Sequence, residues 1–379
     1  MTQVLESDVA ALRKSCTGVV VTRDDDGYHA GRSIWNGAID RRPAVIARCS
    51  SGVDVAATIE FARTRGLEIS VRGGGHSGAG YSVSDGGLMI HLGDMKQVRV
   101  DSAARRAVCG GGVTWGDVDA ATQAHGLAVP GGIVSHTGIG GLTLGGGLGW
   151  LNAKAGLTAD YLVAAELVTA SGRIVRASAE KNPNLFWAIR GGGGNFGVVT
   201  SFEYRLHEVG PLVHIGYFFW GSDRAAEALR FCRDFVKGLP DDMGVGISGV
   251  NASPRPYVPE QHHYAPGVAL IVVGFGSAEE HQRAVRPVRQ EAAPLFELVS
   301  PLPYTNLQKL VDEGFPWGIL NYDKALYIDE FTDDVIHVFA EHLAKKTSLM
   351  SMVAIQRLNG AYERVGEDET AFGGSRAAT

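Results

Sequence analysis

The stretch VRGGGHS, residues 71–77, sets three glycines immediately before His76. Without a Cβ the backbone there can come close to another body and turn its N–H groups toward it. Successive N–H groups of that kind form a nest for an anion and need no lysine to neutralise it. Imidazole, with an ordinary pKa of ~6.5, offers an uncharged nucleophilic nitrogen at neutral pH. An anion cradle followed at once by one nucleophilic ring is the chemistry this turn could perform. A histidine merely satisfied by hydrogen bonds in a turn is the plainer reading, and the three glycines weigh against it.

The turn is not isolated. Of 51 glycines, 29 fall in residues 71–200, clustered as GGGHSGAGYS, CGGGVTWG, PGGIVSHTGIGGLTLGGGLG and RGGGGNFG. Apolar, strand-like runs flank each cluster and no Pro/Ser low complexity accompanies them. These are places where backbone must lie against something, not linkers. Several nests spread over such a span imply an extended ligand. FAD is long enough, and a mononucleotide would not need so many. A dinucleotide fold of the Rossmann type would need its glycines between a first strand and a helix, with an acid ~20 residues on. GIGGLTLGGGLG shows no clear helix after its glycines, and no P-loop sequence is present.

The elements that must position these turns are mixed. DVAATIEFARTRG has helical apolar spacing and a glycine stop, and LEISVRG, GLMIHL, QVRVD and RAVCGGG read as strands. WGDVDAATQAHG reads as a helix, GRIVRAS as a strand, NPNLFWAIRG as a short helix with Asn182 as N-cap, and GVVTSFEYRLHEV as one long strand. Past Pro211 the glycine clusters stop. VHIGYFFW, GVGISGV and GVALIVVGFGS predict strands, SDRAAEALRFCRDFVKG, SAEEHQRAVRPVRQEAAP and TDDVIHVFAEHLAKK helices, and SLMSMVAIQRLNGAYERV a further strand. DETAFGGSRAAT reads as unstructured. The expectation is an α+β protein whose second domain is an antiparallel sheet covered by helices.

Composition excludes several classes. The 379 residues carry a net charge of −6 with scattered Lys and Arg, so no basic footprint exists for nucleic acid or an anionic membrane. The N-terminus lacks the basic start and apolar run of a signal peptide, and no stretch approaches the ~18 apolar residues of a membrane span. Cys16, Cys49, Cys109 and Cys232 form no CxxC pair and read as reduced, buried thiols. The expectation is a cytoplasmic protein acting on a small molecule. His262 and His263 are adjacent, point apart and have no third ligand near, so no metal site is expected.

Three motifs carry a resemblance: VRGGGHSGAGYSVSDGGLMIHLGDMKQVRVD, GIGGLTLGGGLGWLNAKAGLTADYLVAAELVTASG and LFWAIRGGGGNFGVVTSFEYRL. In this order they resemble the FAD-linked oxidase family, with its vanillyl-alcohol-oxidase or PCMH-type flavin fold. Within it they resemble the berberine-bridge-enzyme-like branch and its bacterial 6-hydroxy-D-nicotine oxidase-like members. The likeness implies an N-terminal segment at 1–34, a PCMH-type FAD-binding domain at 35–210, and a substrate domain at 211–379 that is shortened relative to the family. It implies FAD bonded through its 8α-methyl to His76. Arg72, Gly73, Gly74, Gly75, Ser77 and Gly78 would wrap the pyrophosphate. Thr137, Gly138, Gly141, Leu142, Gly145 and Gly147 would line the next loop, and Asn195, Phe196, Gly197 and Val199 the ribityl and isoalloxazine side. The implied activity is hydride removal from a CH–OH or CH–NH group, with electrons passed to oxygen or another acceptor and oxidase favoured over dehydrogenase.

The sequence departs from the family in three places. Val134 stands where many members carry a second, cysteinyl flavin attachment, which leaves a single bond. Leu148 stands where plant members often carry an aromatic residue able to act as base. Relatives also run on past the motif that DETAFGGSRAAT resembles, with a tail that returns to the flavin domain. Its lack implies weakened flavin affinity, and a degenerate, non-catalytic flavin binder is the alternative reading. For catalysis, NYDKALY puts Tyr322 and Lys324 on one face of an expected strand. Tyr322 would orient or deprotonate substrate, with a partly buried Lys324 assisting and Gln356 as a weaker candidate for the pocket wall.

Overall fold

The computed structural model describes residues 5–376. In the first half, β1 (Val19–Val21), β2 (Val45–Arg48), β3 (Ile69–Arg72) and β4 (Leu88–His91) form a sheet in the order β1-β2-β4-β3. β2, β4 and β3 run parallel, and β1 adds antiparallel to the edge of β2. The runs VIA and LMIH are buried throughout, as parallel strands covered on both faces require. The helix Gly52–Thr64 starts where the Ser51 side chain accepts from the Asp54 N–H, and it packs its apolar stripe on this sheet.

Then come β5 (Val98–Asp101), β6 (Arg106–Gly110), β7 (Leu127–Ala128), β8 (Leu162–Val168), β9 (Ile174–Ser178), β10 (Val198–Arg205) and β11 (His207–Glu208). Five of them make an antiparallel sheet, β5-β6-β10-β8-β9, and β7 pairs with β11. The helix Trp115–Gln123 packs on this sheet through Trp115 and Val118. Its Thr114 N–H donates to Asp117, one arm of a capping box. In the second half of the chain, β12 (Leu212–Gly221), β13 (Gly244–Asn251), β14 (Pro266–Gly274), β15 (Phe296–Pro303) and β16 (Val353–Gln356) form one antiparallel sheet, ordered β15-β12-β14-β13-β16. Helices Ala225–Lys237, Ala278–Glu291 and Asp333–Ala344 cover it around a core that includes Phe218, Trp220, Leu229, Leu270, Val285 and Ile336. The α+β expectation holds.

Four local expectations fail. A helix does form inside the glycine run, at Ile139–Leu144, because Ile139 and Thr143 bury there while the glycines, poor helix formers alone, let its backbone pass close to β10. The long strand after residue 198 breaks at Leu206, whose side chain buries while its N–H donates to the Arg105 carbonyl. Asn182 sits at the helix start in a left-handed conformation, and its amide donates to the Arg176 carbonyl without capping. Of the stretch 348–365, only Val353–Gln356 pairs as a strand.

The stretch read as unstructured is packed. Arg376 is 4% exposed and forms a bidentate ion pair with Asp160 at 2.8 and 3.0 Å, and Phe372 sits against Gly146 and Gly191. The Trp187 indole and Arg190 donate to the carbonyls of Asp368 and Glu369. These residues return to the first domain; 377–379 lie outside the described residues.

Candidate functional site

β3 and β4 end side by side, and the chain leaves β3 straight into the glycine turn. A Cβ on Gly74 would fall under 3.0 Å from the backbone of Gly138, and a Cβ on Gly138 would fall equally close to Gly74. The two glycine turns therefore touch backbone to backbone, which only this residue type allows. Backbone N–H groups of Gly74 through Ala79 find no protein partner among the described residues. The same holds for Gly140 and Gly141, in the first turn of the helix Ile139–Leu144, and for Gly194 through Phe196. A Cβ on Gly141, Gly193 or Gly194 would meet nothing within 4 Å. Donors and open space thus line three of the four glycine clusters.

His76 lies half-buried at one end of this row. Its ring stacks on Trp35 with centroids 4.7 Å apart and planes 17° from parallel, and Trp317 meets it edge-on at 6.2 Å. Its Nε2 is 2.8 Å from Nδ1 of His136. Burial lowers His76 to about 4, the neighbouring His136 adds to that, and Asp312 opposes it. The ring is neutral at physiological pH.

Residues 308–323 of the second domain roof this end. The Trp35 indole donates to the Phe315 carbonyl (2.9 Å), and the Gly37 N–H donates to Ile319 (2.7 Å). The Asn36 amide and Asn321 backbone exchange two hydrogen bonds. Asp312 accepts from the Ser135 N–H and hydroxyl at 2.8 and 2.5 Å, which fixes the residue before His136. Arg72 has no carboxylate partner among the described residues. Its guanidinium contacts His91 Nε2, donates to the Ser33 carbonyl and lies 5.8 Å over the Trp317 ring. Burial lowers the Arg72 pKa without removing its charge.

The remaining expected positions divide. Ser77 is half-buried, and its hydroxyl accepts from the Tyr81 N–H. Gly147 needs a left-handed φ of 90° and abuts Thr158. Asn195 and Phe196 are exposed, whereas Val199 is buried beneath Gly111. Residues 319–328 form no strand, because the segment crosses onto the first domain through Asn36 and pairs with no sheet edge. Tyr322 is 83% exposed, and Lys324 is exposed too, with its ammonium 5.7 Å above the Tyr322 ring. The expected burial of Lys324 is therefore incorrect. Gln356 is exposed on β16, the edge strand of the second sheet. A polar groove of about 300 Å³ elsewhere, lined by Ser50, Asp94, Arg99, Glu166 and Ser201, shares no residue with the cradle.

A row of unpaired backbone donors beside a guanidinium with no carboxylate partner, ending on a neutral imidazole, suits a long anionic dinucleotide. The FAD binding domain family matches residues 43–178. An FAD-linked oxidoreductase of Dictyostelium discoideum is 31% identical over 360 residues, covering 94% of this chain and 76% of that protein. The chain belongs to the FAD-linked oxidoreductases. Among solved structures, this FAD-linked oxidoreductase is similar to 6-hydroxy-D-nicotine oxidase of Arthrobacter nicotinovorans. The TM-score is 0.80 at 33% identity, over 90% of this chain and 76% of that one. Glucooligosaccharide oxidase of Acremonium strictum, described with a 6-S-cysteinyl, 8α-N1-histidyl FAD, superposes with a TM-score of 0.80 at 26% identity, over 96% and 78% of the two chains. The PCMH-type fold of this FAD-linked oxidoreductase follows from those likenesses. Sequence reasoning missed His136 and Asp312. His136 could have been found, since it stands two residues before the glycine that must meet Gly74.

Proposed function

We propose that this FAD-linked oxidoreductase carries its flavin on a single covalent bond to His76 and removes a hydride from a CH–OH or CH–NH group of a small molecule, with oxygen as the favoured electron acceptor. The observation that carries the reading is the contact between His76 Nε2 and His136. With the proton on Nε2 and shared toward His136, Nδ1 of His76 keeps its lone pair free and points the ring's nucleophilic side elsewhere. Trp35 fixes the ring plane, and Asp312, through Ser135, fixes the loop that presents His136. Val134 is aliphatic, so a second, thioether attachment from that position has no sulfur.

FAD, when bound, supplies the hydride-accepting ring; the chain supplies grip and exclusion. Residues 72–78, Thr137, Gly138, Gly141, Leu142, Gly145 and Gly147 would hold the pyrophosphate span, with Arg72 as counter-charge. Asn195, Phe196, Gly197 and Val199 would hold the rest. Trp317 and Phe315 roof the His76 end and keep water from it. Tyr322 and Lys324 are proposed to meet substrate from the rim, since Asn321 and Asp323 already lie against Gly78 of the histidine turn. The domain division near residue 210 is proposed on the same footing.

Acid precipitation tests the tether. Yellow colour remaining in the pellet, with an intact mass raised by one FAD, is expected for the wild type. Flavin wholly released into the supernatant sinks the covalent reading. Bleaching under nitrogen by sugars, alcohols or heterocyclic amines then identifies the substrate class.

A further inference from the structure

Asp119 lies on the helix Trp115–Gln123 of the first domain and is 2% exposed, with no cation paired to it among the described residues. Gln308, 1% exposed, comes from the second domain at the end of the helix Tyr304–Leu307, where residues 308–323 begin their course over His76. Its amide nitrogen donates to Asp119 Oδ2 and to the Gly132 carbonyl, both at 3.2 Å. The other halves of the pair, Asp119 Oδ1 and Gln308 Oε1, are both buried acceptors without a donor. One proton on Oδ1, given to Oε1, would satisfy both atoms and close a cyclic acid–amide pair.

We propose that Asp119 is a neutral carboxylic acid that latches the roof segment 308–323 to the flavin domain, and that its ionisation releases this latch. The proposal does not depend on how the flavin is held. An ionised Asp119 would leave both bare acceptors, Asp119 Oδ1 and Gln308 Oε1, unsatisfied in a dry junction, which costs far more than either exposed. Burial pushes its carboxyl up to about 7, opposed by the Gln308 hydrogen bond and by Lys309. From the helix Tyr304–Leu307 the titratable neighbour is Tyr304, itself buried and pushed upward, so it stays neutral and adds no charge. β5 faces the helix with Val98 and Val100 while Arg99 and Asp101 are exposed, and β7 brings Leu127 and Ala128. Among the described residues, Lys309 is the cation that acts on Asp119.

An acid whose pKa is raised in the closed state favours that state at low pH. The open state, with an ordinary carboxyl near ~3.9, binds fewer protons between the two values, so opening rises about tenfold per pH unit up to about pH 7 and then levels off. Hydrogen exchange of the full chain over residues 308–323, corrected for intrinsic chemistry and followed from pH 5 to 8, reads this directly. Asp119→Asn keeps the cyclic geometry with a group that cannot ionise. A sloped wild type beside a flat Asp119→Asn is expected. Equal profiles overturn the proposal, as does a flat wild type, the result for an ionised Asp119 bridged by water to the unpaired Trp115 indole. Should Asp119→Asn not fold, infrared spectra of wild type with ¹³C-labelled aspartate decide. A protonated carboxyl band at pH 6 that fades above pH 7 supports the latch, and its absence refutes it.

Discussion

On its flavin-domain side the His76 site is walled by backbone, and on the side of residues 308–323 it is walled by side chains. The first wall is glycine: Gly74 on Gly138, with free N–H groups along 74–79, 140–141 and 194–196. The second is the Asp312 carboxylate on Ser135 and the Phe315 and Trp317 rings beside Trp35 and His76, with the Phe315 and Asn321 backbones adding hydrogen bonds to Trp35 and Asn36. Backbone walls tolerate no added atom, whereas side-chain walls lose one contact at a time. Substitutions on the two sides should therefore fail differently.

His76→Ala should abolish acid-stable flavin completely while leaving far-ultraviolet dichroism unchanged; any residual mass adduct would locate the tether elsewhere. Gly138→Val comes next. Its Cβ lands in backbone that cannot rotate away, so a loss of about 3 kcal/mol or more, read by denaturant unfolding, is expected. Asp312→Ala removes two hydrogen bonds from Ser135 and should cost about 1–3 kcal/mol while loosening His136, visible as slower flavin attachment. A loss as large as that of Gly138→Val would erase the contrast between the walls.

Acid should weaken the backbone side selectively. His76 and His91 are both lowered to about 4 by burial, so the unfolded chain binds protons that the folded one refuses. The stability these two histidines contribute to the flavin-free chain should fall as pH drops from about 6.5 toward about 4 and stay constant above that window, set against the Asp119 contribution, which falls as pH rises toward about 7. His76→Gln should therefore make the wild-type-minus-variant difference shrink by about 1–2 kcal/mol across that acid window. Tyr322→Phe, at an exposed rim position, should change stability by less than about 0.5 kcal/mol and show itself only in kcat/KM.

The same contrast explains what could be read in advance. Glycine clusters announce themselves in a sequence, and so do capped amphipathic helices such as Ala278–Glu291, with its Ser277–Glu280 box. Hence the His76 turn and the helical cover of the second sheet were legible. The helix Ile139–Leu144 was hidden because its glycines argue against helix and only packing beneath β10 overrides them. The roof was hidden because 308–323 has no periodicity. Its order comes from partners such as Trp35, which lies 280 residues from Phe315. The alternation of Tyr322 and Lys324 suggests one face of a strand with Lys324 partly buried, but no sheet edge is there to receive them and both are exposed.

That separation in the chain has a temporal side. A ribosome delivers residues in order, and N-terminal domains generally fold as they emerge. All the glycine turns are out by residue 200, while the roof that closes over His76 is more than a hundred codons away. A nascent chain thus exposes the imidazole end of its cradle to the surrounding solution before any lid exists to shut it in.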